Sequence, residues 1–81
     1  MDIKVIGMGC EKCDALYANT LAALEKAGIR AHVEKVEDLV DIVRLGVMSA
    51  PSLMVDGKLL VSGRVATVQA IVNLLKKERG N

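Results

Sequence analysis

The chain has 81 residues, 52% of them apolar and 26% charged, with a net charge of +1, which bounds it to one small globular domain spanning 1–81. One tyrosine, with no tryptophan or phenylalanine, leaves an aliphatic core and no platform on which bases could stack. A near-neutral chain also offers phosphates no field to follow, and no apolar run is long enough to span a bilayer. Neither nucleic acid nor membrane is an expected partner, and a cytoplasmic monomer is the expected form.

In chain order, residues 2–6 alternate apolar side chains at Ile3 and Val5 and then meet Gly7-Met8-Gly9, which reads as a strand ending in a glycine-rich turn. Residues 11–27 turn helical, with Leu16, Thr20, Leu24 and Ala27 on one face and Gly28 placed to end the helix in a left-handed conformation. A second strand is expected over 29–36, with Ile29, Ala31 and Val33 on one side and His32 and Glu34 on the other. It would run parallel to the first in a right-handed crossover. Asp38 is placed to cap a short helix over 39–45 that Gly46 stops, with Val40 and Val43 expected to face inward. Ser49-Ala50-Pro51 breaks the chain. Strands at 52–55 and 58–62 then flank Asp56-Gly57, a strong hairpin signal. After Gly63, Thr67 caps a last helix with Val68, Ile71, Val72 and Leu75 on one stripe, which is core and shows no cofactor box. The fold class is therefore α/β, in the order β-α-β-α-β-β-α, with a four-stranded mixed sheet covered by three helices. No cofactor is expected.

Cys10-Glu11-Lys12-Cys13 stands where the glycine-rich turn becomes the first turn of a helix. Unpaired N–H groups and the helix dipole stabilise an anion at that position, and a thiolate is what thiol–disulfide exchange requires. Lys12 adds a cation that tunes the thiol, partly offset by Glu11. Cys10 is expected to be the exposed nucleophile. Cys13, one turn further in, is expected to be the buried thiol that resolves the mixed disulfide.

The same spacing serves metals. Gly7-Met8-Gly9-Cys10-Glu11-Lys12-Cys13 also resembles the GMxCxxC loop of heavy-metal-associated domains, in which soft thiolates hold Cu(I). A copper chaperone is thus the alternative reading, and a redox-switched adaptor using the same cysteines is a third. The metal-domain fold runs β-α-β-β-α-β and ends on a strand, which the order expected here does not. His32, the remaining zinc-type ligand, falls on a distant strand. As a whole, strand, CxxC at a helix start, crossover, and a proline directly before a hairpin resemble the thioredoxin superfamily, in particular its small redox-active disulfide proteins. The resemblance rests on the cysteine loop, on Ser49-Ala50-Pro51-Ser52-Leu53-Met54-Val55-Asp56-Gly57-Lys58, and on Gly63-Arg64-Val65-Ala66.

That resemblance implies a protein disulfide reductase and a cis Ala50–Pro51 bond with Pro51 beside the cysteines. It also implies a substrate groove to which Ala50 contributes main chain and Gly63 contributes space. Protein disulfides are the implied substrates, and a flavin-dependent thioredoxin-reductase-like protein is the implied electron donor. The chain departs from thioredoxins in having Gly9, not Trp, before the first cysteine, and Glu11-Lys12, not Gly-Pro, between the two. It lacks the glutaredoxin Thr-Val-Pro and Gly-Gly-x-Asp signatures, which weakens the case for glutathione. Tyr17, Met8 and Arg64 have plain readings as sheet packing, an adaptable loop residue and a solvated charge.

Overall fold

The computed structural model describes residues 1–9 and 11–80. They form β1 (Asp2–Ile6), α1 (Glu11–Ala27), β2 (His32–Val36), α2 (Leu39–Arg44), β3 (Ser52–Val55), β4 (Lys58–Ser62) and α3 (Val68–Arg79). The sheet order is β2-β1-β3-β4, with β2 parallel to β1 and the β1–β3 and β3–β4 pairs antiparallel. β1 is therefore an inner strand, and β2 and β4 are the two edges.

Alternation along β1 sorts the two faces. Ile3 and Val5 point into a main cluster with Leu16 and Leu24 of α1, Leu53 and Val55 of β3, and Ile71, Val72 and Leu75 of α3. Ile6 points the other way, into a smaller cluster with Val36, Ile42, Val47 and Met54 beneath α2. Helices thus cover both faces, but the six residues of α2 cover only the end of the second face nearest Ile6. Inside the main cluster Thr20 is fully buried, and its hydroxyl donates to the Leu16 carbonyl at 2.7 Å, so the burial leaves no polar atom unpaired. Asn19 Nδ2 donates to the Ala66 carbonyl at 3.0 Å and ties α1 to the approach of α3.

Local chemistry sets the ends of the elements. Asp38 accepts from the Val40 N–H, Thr67 accepts from the Ala70 N–H, and Gly28 adopts φ +67° where α1 stops. Asp56 (φ 48°) and Gly57 (φ 83°) both take positive φ, the backbone of a type I′ hairpin turn. The Asp2 N–H donates to Asp56 Oδ1 at 2.8 Å, and the Asp56 N–H returns a bond to the Asp2 carbonyl, also at 2.8 Å.

Three details differ from the sequence reading. The second strand begins at His32 and not at Ile29. After Gly28, the Ile29 N–H still caps α1 through the Leu24 carbonyl, and β1 supplies ladder partners only from Asp2, which pairs with His32. The short helix ends at Arg44, with Leu45 as its C-cap. Its phase is also different: Ile42 is the buried residue, whereas Val40 and Val43 are 56% and 67% exposed. The observed order ends on α3 after a β3–β4 hairpin, unlike the β-α-β-β-α-β order that the copper-chaperone reading requires. Among the described residues no helix is long and apolar enough to cross a membrane.

Candidate active site

The site lies at the end of the sheet where β1 runs out. The Gly7 N–H donates to the Val36 carbonyl at 3.0 Å, which fixes the last point of β1 against the last point of β2. Met8, 61% exposed, and Gly9, at φ +64°, then swing the chain into α1. Cys10 lies outside the described residues. Cys13 stands in the first turn of α1, is 4% exposed, and is engaged in a disulfide. Its sulfur packs directly over Gly7: a Cβ added to Gly7 would overlap Cys13 Sγ and would stand 3.1 Å from Cys13 Cβ and 3.8 Å from Ala50 Cβ.

The proline loop comes from the other side. The Ala50–Pro51 peptide is cis; Pro51 is buried and Ala50 is exposed. Two bonds hold the loop: Ser52 Oγ donates to the Ser49 carbonyl, and the Gly63 N–H donates to the Pro51 carbonyl at 2.9 Å. Gly63 has φ +72°, and a Cβ there would press on Ser49 Cβ at 3.2 Å. The structure therefore brings Cys13, Ala50, Pro51 and Gly63 together by way of Gly7 and the 49–52 turn. Lys12 is exposed on the first turn of α1, beside Glu11. His32 is exposed and pairs with Asp2, at the opposite end of β1 from Gly7. Tyr17 packs half-buried against the main cluster, and Lys35 Nζ lies 4.9 Å from its ring centroid.

Three charged residues that sequence reasoning missed lie behind Cys13. Asp14, Lys35 and Glu37 line a small recess with Gly7, Gly9 and Cys13. Lys35 Nζ is paired to Asp14 Oδ1 at 3.2 Å. The only sequence signal for Lys35 was the parallel pairing itself, which sets it beside Val5, two residues before Gly7. On the outer side an apolar trough runs from Met8 and Ala50 to Leu39, Val43 and Met48. A sulfur at a helix N-terminus, flanked by an exposed loop residue and a fixed proline, is an arrangement suited to thiol–disulfide exchange.

Comparison with known proteins agrees with this geometry. A family model described as a thioredoxin domain matches residues 1–76. The chain is 37% identical over 75 residues to a thioredoxin of Methanothermobacter thermautotrophicus, covering 93% of this chain and 97% of that one. It is 34% identical over 74 residues to a thioredoxin of Methanocaldococcus jannaschii, covering 91% of this chain and 85% of that one.

Proposed function

The chain belongs to the thioredoxin family and is in that general sense a thiol–disulfide oxidoreductase, and from this premise we propose that Cys10 and Cys13 form its reactive pair. In the reductive direction the Cys10 thiolate attacks one sulfur of a protein disulfide. That S–S bond breaks, the other sulfur leaves with the electron pair, and a mixed disulfide remains on Cys10. The Cys13 thiolate then attacks the Cys10 sulfur, closes the Cys10–Cys13 disulfide and expels the second substrate thiolate. Two electrons pass to the substrate, and a flavin-dependent thioredoxin-reductase-like donor returns them to the protein. The chain acts as a cytoplasmic monomer.

The observation that carries this reading is the seat of Cys13: a buried sulfur on the first turn of α1, against Gly7 and within reach of the Ala50–Pro51 loop. Burial suits a thiol that must wait for a mixed disulfide and not react first. Ala50, Pro51 and Gly63 form the groove for the extended substrate. Lys12 holds a positive charge near the nucleophile and favours its thiolate.

The test is the rate of Cys10 alkylation against pH, together with reduction of a protein disulfide. We expect alkylation to persist below the ordinary thiol range and turnover to vanish in Cys10→Ser. An unshifted alkylation profile, with no disulfide reducible by dithiothreitol, overturns the reading.

A further inference from the structure

We propose that Gly7 is a positioning residue for the resolving step: by carrying no side chain, it admits the Cys13 sulfur to the end of β1, where that sulfur must sit to attack the mixed disulfide. The proposal rests on the reading of Cys10 and Cys13 as the reactive pair.

The glycines of the chain separate into two kinds. It has seven, all among the described residues, and six of them adopt positive φ, from 64° to 87°. Those six are accounted for by backbone conformation, which side-chain-bearing residues adopt only at a cost. Gly7 is the exception. Its φ lies outside the left-handed region, so a left-handed backbone does not explain glycine there, and what meets an added side chain is a lack of space.

The occupant of that space is Cys13. A Gly7 methyl would overlap Cys13 Sγ, with Cys13 Cβ at 3.1 Å and Ala50 Cβ at 3.8 Å. Neither backbone is free to withdraw. Gly7 is held by its bond to the Val36 carbonyl at 3.0 Å, directly after a strand paired on both sides. Cys13 rides on α1, whose Leu16 and Thr20 are fully buried behind it. In this structure the Cys13 sulfur is held in a disulfide; in the reduced chain, where the resolving step takes place, it is the atom free to turn, so a methyl at Gly7 displaces it there. Reaction geometry tolerates little of this, since a misplacement of about 1 Å can cost on the order of 100-fold in rate. The nucleophilic attack by Cys10 does not involve the Cys13 sulfur, so the two steps should respond differently.

Dithiobis(nitrobenzoate) separates them. Attack of the Cys10 thiolate cleaves the reagent's disulfide and releases one thionitrobenzoate. Attack of the Cys13 thiolate on the Cys10 sulfur then closes the protein disulfide and releases the second, and the reagent accepts two electrons in all. In Gly7→Ala we expect the first release to stay within about twofold of the parent chain and the second to slow by about tenfold to 100-fold. Equal slowing of both, or an unchanged second release, overturns the proposal. If the parent chain releases only one equivalent, the reactive-pair reading itself fails and this proposal falls with it. Thermal melting covers the case of a Gly7→Ala chain that folds poorly. The loss of melting temperature caused by Gly7→Ala should shrink in a Cys13→Ala background, where the obstructing sulfur is gone. An equal loss in both backgrounds means that the methyl collides with something else, and overturns the assignment.

Discussion

Gly63 combines two demands that a larger residue fails together: φ of +72°, and Ser49 Cβ at 3.2 Å from the position of an added Cβ. Gly28 has the first demand without the second, because nothing stands within 4 Å of its added Cβ. Gly63→Ala should therefore cost more than Gly28→Ala in urea unfolding, where backbone strain alone is worth about 1–2 kcal/mol. At Asp38 the side chain accepts from the Val40 N–H at 2.8 Å, and removing that cap in Asp38→Ala should cost about 1 kcal/mol by the same measurement. Lys4 sits 3.0 Å from Asp2 Oδ2 and 3.9 Å from Glu34 Oε1, and its pKa is raised above the ordinary 10.5, chiefly by the hydrogen bond to Asp2 and against some desolvation. The charged form is thus favoured by folding. Its contribution is complete below the unfolded-state value and is lost as pH rises through the higher folded-state value. In Asp2→Asn, the Lys4 Nζ titration followed by NMR should move down toward the ordinary lysine range.

At the level of elements, α2 gives the sharpest contrast between neighbouring residues. Ile42 is buried in the smaller cluster, and Val43 beside it is 67% exposed. Ile42→Ala should cost about 2–4 kcal/mol in urea unfolding, and Val43→Ser should stay within about 0.5 kcal/mol. Equal effects would mean that the helix is rotated about its axis from the arrangement described. The sequence could not supply that rotation. Leu39, Val40, Ile42 and Val43 are apolar on nearly every side of a six-residue helix, so no single stripe stands out. α3 was legible because its stripe, from Val68 to Leu75, runs for about two turns and has polar residues between. The hairpin was legible because Asp56-Gly57 supplies both positive-φ positions of its turn. The false start of the second strand has the opposite origin: Ile29, Ala31 and Val33 alternate correctly, but a strand extends only as far as its neighbour provides partners, and β1 begins at Asp2. In the site, the place of Cys13 was legible from motif and spacing, and those of Pro51 and Gly63 were expected from the family resemblance. Lys35 and Glu37 were not legible, because it is the pairing of β2 with β1, and the turn after it, that carries them to the recess beside Cys13. Gly7 was read as part of a turn, since sequence does not show which glycines are chosen for space and which for φ.

For the molecule as a whole, α3 closes the larger cluster. Ile71, Val72 and Leu75 are at most 3% exposed and pack on the side of the sheet that α1 shares. A chain ending before Val68 should uncover Leu16, Leu53 and Val55 together and lose cooperative urea unfolding followed by far-ultraviolet circular dichroism. A sharp transition in that truncated chain would show that α1 and the sheet are stable without their cover. The two outer strands carry a different consequence. β2 has only five residues and presents His32, Glu34 and Lys35 outward. β4 is also five residues long, and an irregularity breaks its register with β3 between Leu53 and Met54. Neither border offers another polypeptide a long, flat, uncharged row of amides on which to grow. A chain that is to meet other proteins' disulfides, as proposed above, is thereby guarded against pairing edge to edge with them.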